Sequence, residues 1–478
     1  MGESIRNKTI KGIAWSAIER FSVQGVSFLV QIVLARLLAP SDYGIIAILA
    51  IFLQVAQVFI DSGFANALIK KSNCSEEDFS TVFWYNLGIS LFLYVILFIT
   101  APFVSIFYKN DIITTVFRVI SLTIIINAFS IVQQTKLIKA VDFKSQSKVT
   151  LISSISSGII GILLAYKGFG VWALVYQQIS NGILRFILYI GISKWFPSIK
   201  WSNSAFKYVF NFGSRLLAAS LISVIYKNLY SLVIGKRFTS ADLGYFNRAD
   251  SFAMFPSNNI GNIISRVSFP IFSSIQDDNE QLLYAYRKLI RYSSFIIFPL
   301  MFGLLAVSEP FILVTLTEKW KLCIIILQIL CIDWSLDHIT LLNLNLLYVK
   351  GKTDLVLKLE LIKKTIAITI LVVSIPLGLI AMCWGRVLYS VIATILNTYY
   401  TNKLLNFGFL KQVSDFSPFI IASVFMAVLL NCFMKLFNDP IEQLISGIVI
   451  GIIIYFIISL LFFRSIITDL ISMIKKKL

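Results

Sequence analysis

One histidine, His338, stands in 478 residues, and the five cysteines (Cys74, Cys323, Cys331, Cys383 and Cys432) are scattered without a CxxC pair. A His-rich metal site is thereby excluded, and a disulfide framework has no basis. No HExxH and no GxSxG occurs. The one GKT, Gly351-Lys352-Thr353, has Leu346 where a phosphate-binding loop requires its first glycine. Charge is scarce as well, at 14% of residues against 58% hydrophobic, with a mean hydropathy of +0.84. So little polar surface cannot coat a soluble globule of this size, and the chain reads as an integral membrane protein without cofactor or metal.

What is present is a series of apolar runs of about twenty residues or more, with no soluble domain between them. A backbone in lipid must satisfy its own hydrogen bonds, and runs this long do so as helices, since barrel strands would alternate over about ten residues. The fold class is therefore an all-α polytopic membrane protein with about fourteen transmembrane helices. They are placed at 13–38, 43–69, 82–107, 112–135, 148–166, 169–193, 206–235, 243–272, 288–316, 321–349, 355–375, 377–404, 416–437 and 441–463. The first run holds Glu19, Arg20, Gln24 and Gln31. It is too long and too polar for a cleaved signal peptide and is expected to stay as the first span.

Acidic residues are the minority sign, 24 against 42 Lys and Arg, for a net charge of +18. The basic residues form no nucleic-acid-binding block; they sit in alternate loops. Loops such as Lys136/Lys139/Lys144/Lys148, Lys194/Lys200/Lys207, Arg287/Lys288/Arg291 and Lys350/Lys352/Lys358 belong to the side of the termini. That side carries about two dozen Lys and Arg and the other about nine, which predicts cytoplasmic termini.

A phrase repeats half a chain apart. VLARLLAPSDYG at Val33 to Gly44 returns as VIGKRFTSADLG at Val233 to Gly244, aligning Val33/Val233, Asp42/Asp242 and Gly44/Gly244 at a shift of 200 residues. Each copy ends an apolar run, turns, and restarts behind an Asp suited to capping the new helix. A second, weaker echo joins Lys167-Gly168-Phe169-Gly170 to Leu377-Gly378. The expected organisation is one six-helix bundle over residues 1–200, its repeat over 201–405, and two further helices with a basic tail over 406–478. The linker Ser193 to Lys207 is expected to tie the halves together along the cytoplasmic surface, its Trp195 and Trp201 marking the membrane interface.

GFANALIKK at Gly63 to Lys71, EEDFSTVFWYN at Glu76 to Asn86, GFGVWALVYQQ at Gly168 to Gln178 and DLGYFNRADSFAMFP at Asp242 to Pro256 resemble the polysaccharide transporter branch of the MOP exporter superfamily. More narrowly, they resemble its Wzx-type and colanic-acid-type flippases of lipid-linked oligosaccharides. The resemblance implies two six-helix bundles in a V shape and alternating access. It also implies transfer of an undecaprenyl-pyrophosphate oligosaccharide across the bacterial inner membrane, for O-antigen, capsule or exopolysaccharide export. It leaves the glycan open. Membrane lipids, a polysaccharide polymerase and a chain-length regulator are the partners that such a role implies. An ion-coupled drug or metabolite antiporter of the same superfamily is the alternative. An oligosaccharide polymerase is a third reading, which the short periplasmic loops disfavour.

Charges inside lipid-spanning helices are costly unless they face protein or water, which makes them the site candidates. Arg20, Gln24, Ser27 and Gln31 share one face of span one, and Ser220, Ser223, Lys227 and Ser231 the related face of span seven. Gln54, Gln57 and Asp61 follow on span two, and Arg248, Ser251, Asn258, Asn262 and Arg266 on span eight. Gln178, Asn181 and Arg185 lie on span six, and Arg386, Ser390 and Asn397 on span twelve. Amides and hydroxyls suit sugar hydroxyls, and Arg suits pyrophosphate because its fork donates two hydrogen bonds. Each Arg has a plainer alternative, snorkelling to a headgroup. Asp333 and Asp337, four apart on span ten, are candidates for proton coupling, since neighbouring carboxylates in low dielectric raise each other's pKa; solubilising a wet mouth is their other reading.

Overall fold

The structure, a computed structural model, describes residues 22–61, 64–71 and 73–475. Among the described residues there are twenty α-helices and no strand. Nine of the described helical segments are long and apolar enough to cross a membrane. The described parts of the other expected spans, at 22–38, 169–193, 206–235, 243–272 and 355–375, are mostly helical as well but fall outside those nine.

The chain divides into two compact units, one reaching to Gly244 and the other beginning at Tyr245. The first holds α1 (Ser22–Leu37), α2 (Pro40–Asp61), α3 (Phe64–Lys70), α4 (Glu76–Tyr108), α5 (Ile112–Ile120), α6 (Leu122–Lys139), α7 (Phe143–Tyr166) and α8 (Val171–Ser193). It also holds α9 (Asn203–Lys227), α10 (Leu229–Arg237) and the first turn of α11 (Ser240–Ser274). Helices α9 and α10 pack on α2 and α4, and α9 also on α3, which carries the compact unit past residue 200. The second unit continues α11 and adds α12 (Asn279–Ala306), α13 (Ser308–Leu316), α14 (Leu322–Ser335), α15 (Asp337–Val349), α16 (Thr353–Ser374) and α17 (Leu379–Leu405). It closes with α18 (Phe409–Met434), α19 (Pro440–Phe462) and α20 (Arg464–Lys475). Here α18 packs along α12, and α19 on α13 and α18.

Several helices overshoot the apolar runs that announce them. Span nine was expected from 288, yet α12 begins at Asn279, where the Asp278 carboxylate accepts from the N–H groups of Glu280 and Gln281 at 3.0 Å each. Arg287, Lys288 and Arg291 are thus helical residues and not a loop. Hydropathy locates the part of a helix that lipid requires, whereas capping decides where it starts. Both glycine turns behave alike: Gly170 (φ 54°) and Gly378 (φ 99°) adopt positive φ as the N-caps of α8 and α17.

The linker is a strap along the start of α4. Trp195 Nε1 donates to Glu76, and the Ser198 N–H to Ser80 Oγ at 3.0 Å. The Ser202 N–H donates to Thr81 Oγ1 at 3.0 Å, and Trp84 Nε1 to the Ser198 carbonyl at 2.9 Å. Trp195 is buried edge-on against Phe79 and Phe83, so it is an anchor and more than an interface marker.

The two repeated phrases meet in space. A Cβ on Gly44 would lie 1.7 Å from the Ser240 carbonyl oxygen, and one on Gly244 would lie 2.0 Å from that of Pro40. The first turns of α2 and α11 therefore touch backbone to backbone, reciprocally. Asp42 and Asp242 are not N-caps but third-position residues reaching back: Asp42 accepts from the Ala39 N–H at 3.0 Å and Asp242 from the Thr239 N–H at 3.1 Å. In the second copy Thr239 Oγ1 accepts from the Asp242 N–H at 3.1 Å, completing a capping box.

Helix α20 packs through Ile466 and is tied to α12 by Asp469, which accepts from Tyr292 Oη at 2.9 Å and pairs with Lys288 at 3.1 Å. Those donors hold the Asp469 carboxyl below its ordinary value of 3.8. Its contribution is therefore present at neutral pH and is lost only as pH falls through the depressed value.

Two outcomes are expected. Gly44→Ala and Gly244→Ala each lower stability in thermal unfolding of the detergent-solubilised protein, by about 1–3 kcal/mol for overpacking. The double variant costs less than their sum, because one methyl already parts the contact. Asp469→Asn raises deuterium uptake of α20 at pH 7 while leaving α12 protected.

Candidate functional site

Arg20 lies outside the described residues. Of the other candidates in the first unit, Gln24 is half-buried on α1, and Gln31, on the same helix, is exposed. Gln54 Oε1 accepts from Asn228 Nδ2 at 3.0 Å, joining α2 to the break between α9 and α10. Gln57 Nε2 donates to Asp61 one turn on at 3.0 Å, so that amide is spent on its own helix. Asn181 Nδ2 donates to Ser157 Oγ of α7 at 3.0 Å, and Arg185 is half-buried on α8. Lys227 ends α9 and is exposed. One turn from the Gln54–Asn228 pair, Val55, Phe59 and Leu232 help line an apolar pocket of about 350 Å³ between α2, α4 and α10.

In the second unit Arg248 is buried, with its guanidinium 5.8 Å and 6.0 Å from the ring centres of Phe252 and Trp320. It does not snorkel. Asn262 and Arg266, further along α11, are exposed. Three residues converge instead on a point where α11, α14 and α17 meet. Arg386 Nη1 lies 2.8 Å from Asp250 Oδ1, and its Nη2 lies 2.7 Å from Asp333 Oδ2. Trp334 Nε1 donates to Asp250 at 2.8 Å, and Ser390 Oγ to Asp333. The side chains grade from accessible to enclosed: Asp250 is 25% exposed, Arg386 16% and Asp333 7%.

Asp337 is not Asp333's neighbour on one continuous helix. Leu336 separates α14 from α15, and Asp337 opens the second. It feels Asp333 and the buried Lys363 of α16, which itself pairs with Glu360 at 2.5 Å. His338 is wholly buried, bonded to Ser294 at 3.0 Å and edge-on to Phe298, a packing role.

Sequence reasoning thus named Arg386 and Asp333 separately, for different tasks, and missed Asp250, Lys363 and Glu360. The signal for all three was available. Each is an intramembrane charge of the kind counted elsewhere, Asp250 within the DLGYFNRADSF phrase and the other two within span eleven. Among the described residues no group of His, Cys, Asp and Glu has the makings of a metal site.

With this geometry in place, comparison with known proteins is informative. The sequence profile of a polysaccharide biosynthesis protein family matches residues 33–325. Lipopolysaccharide biosynthesis protein WzxC of Escherichia coli K12 is 28% identical over 84% of this chain and 82% of its own length. Teichuronic acid biosynthesis protein TuaB of Bacillus subtilis 168 is 27% identical over 74% of this chain and 73% of its own. Among solved structures, the lipid II flippase MurJ in an inward closed conformation superposes with a TM-score of 0.75 at 18% identity, covering 95% of this chain and 99% of that one. At that identity the likeness is one of fold.

Proposed function

The chain belongs to this polysaccharide biosynthesis protein family, and from that premise we propose that it is a flippase. Its cargo is an undecaprenyl-pyrophosphate-linked oligosaccharide, moved by alternating access across the bacterial inner membrane for export of a surface polysaccharide. The observation that carries the reading is the pairing of relatives matched over most of their length with exposed polar side chains on helices of a membrane protein. Lys227, Asn262 and Arg266 are exposed on α9 and α11, where an inert membrane protein would present carbon. Cations and amides at such positions suit a ligand with phosphates at one end and sugar hydroxyls at the other. The excess of Lys and Arg on one side supports cytoplasmic termini, and the protein moves its ligand without altering it chemically. A polymerase and a chain-length regulator are the partners this role calls for.

One observation favours the second reading, an ion-coupled antiporter: Asp250 and Asp333 place two carboxylates against a single guanidinium inside a helix bundle. Ion coupling is compatible with either cargo. The cargo is what separates them.

The test loads liposomes containing the purified protein with a fluorescent undecaprenyl-pyrophosphate oligosaccharide in the inner leaflet, and adds a membrane-impermeant glycosidase outside. Cleavage is expected to require the protein and to fall about tenfold in the Lys227→Gln, Arg266→Gln double variant, the loss of roughly one charge-assisted contact. Arg118→Gln is expected to leave it unchanged, since Arg118 is occupied by the Phe98 carbonyl at 3.3 Å and the Phe98 ring. No cleavage above that of empty liposomes, across several glycans, overturns the reading in favour of a small-molecule antiporter.

A further inference from the structure

The triad of Asp250, Arg386 and Asp333 has one cation for two carboxylates, so it holds an excess negative charge within a helix bundle. Both carboxylates are also served by neutral donors, Trp334 Nε1 on Asp250 and Ser390 Oγ on Asp333. They do not depend on the guanidinium alone. The more exposed edge of the triad is the Asp250–Arg386 contact, and Asp333 is the enclosed end. Arg386 is further flanked by Phe246 and Trp334, each ring centre 5.7 Å from its guanidinium carbon, which hold the planar group in place from the side.

A second, independent feature points the same way. Asn397 lies on the same face of α17 as Arg386 and Ser390, the face that packs on α14 and α15. It is completely buried, and neither of its amide atoms has a protein partner. Buried amides are nearly always bonded. An unbonded one on this stripe takes its partner from outside the protein, a water or a polar ligand.

We infer that Arg386 is a transferable cation. It is held between Asp250 and Asp333 when no anion is bound and passes to a ligand phosphate when one enters along the Asp250 edge, the vacated carboxylates taking up a proton from the aqueous side. This rests on the flippase reading and names the group within it that couples anion binding to protons. The balance is simple: one phosphate charge takes the guanidinium from both carboxylates, and one proton neutralises one of the two left behind, so the net charge of the site is unchanged with the ligand bound. Without that proton, two uncompensated carboxylates would remain in low dielectric, which is why binding and protonation are linked. The charged and titratable groups beside the triad are Asp337 of α15, which faces Asp333, and Cys383 of α17, which faces all three members; Lys363 of α16 faces Asp337 and is already paired with Glu360.

The test measures binding of a short-chain polyprenyl-pyrophosphate disaccharide, a diester without a phosphate proton to lose near neutrality, to the full chain in detergent by calorimetry at pH 5.5 and pH 7.5. In the unaltered protein the ligand is expected to bind more tightly at the lower pH. Asp250→Asn keeps an acceptor for Trp334 while removing the competing charge. It and Asp333→Asn are expected to bind about tenfold more tightly at pH 7.5, with the pH dependence flattened, the effect of relieving one charge contact. Arg386→Ala loses binding; Arg386→Lys binds weakly, since one ammonium cannot bridge as the fork does. Asp354→Asn, an exposed position of the same charge, controls for net charge and behaves as the unaltered protein. Asp250→Asn and Asp333→Asn variants indistinguishable from Asp354→Asn, or full affinity in Arg386→Ala, overturn the inference. Failure of liposome flipping with these binding shifts intact would retire the transport reading and leave the site; flipping with no shifts would retire the site alone.

Discussion

The rest of the structure hangs on one contact that involves almost no side chain: the first turns of α2 and α11 touching through Gly44, Ser240, Gly244 and Pro40. Two helix N-termini brought together also bring two positive dipole ends together. Asp42 and Asp242 sit in those first turns, where a carboxylate offsets that charge while satisfying an otherwise orphaned N–H. Neighbouring contacts align with it. Lys236, ending α10, donates to the Phe107 carbonyl at 2.6 Å, at the C-terminal end of α4 where a cation is favoured. Gly235 lets α10 approach Ile48 and Tyr108 closely. A contact made of backbone and C–H groups is geometrically demanding but individually weak.

Inside the bundles polar groups follow two separate rules. Some are closed networks that fix helix positions. Tyr286, Asn343, Thr401 and Gln412 bond one another in a fully buried cluster joining α12, α15, α17 and α18, and Arg287 clasps Asp415 through two bonds of 2.7 and 2.9 Å beside it. Such a network attaches α18 to the second unit more firmly than apolar packing could, because lipid tails compete equally well for carbon. Others, such as Lys227, Arg266 and the Asp250 edge of the triad, are left accessible. The difference between satisfied and accessible polar groups marks which of them fix helix positions in a protein where hydrophobicity cannot.

Much of this was legible in the sequence. Runs of twenty apolar residues gave the helices, the 200-residue echo gave two copies of one hairpin, and four ordered phrases gave the family. Asp42 and Asp242 were read as capping residues, and their carboxylates do bind the helix starts, though from the third position. What was not legible depended on distance or on water. Asp250 and Arg386 are 136 residues apart, and no periodicity within either helix announces the pair. Helix starts such as Asn279 lie beyond the hydrophobic signal, because a capped helix continues into water at little cost. The break at Leu336 leaves no proline or glycine as a marker. Helix α20 is too short and too polar to register as a span, and its position comes from Asp469, Lys288 and Tyr292. Trp195 was read by its residue type, whereas its role comes from Glu76, 119 residues away.

The most direct test of the central claim is to fix the glycine junction and follow stability. Cysteines at positions 40 and 240, in a chain with Cys74 and Cys432 replaced, would be joined by a short cleavable cross-linker. The account predicts that the link raises the thermal unfolding temperature of the detergent-solubilised protein and that cleaving it reverses the gain, because the first turns of α2 and α11 lie backbone to backbone. Failure of the link to form, or a link that lowers the unfolding temperature, would contradict it.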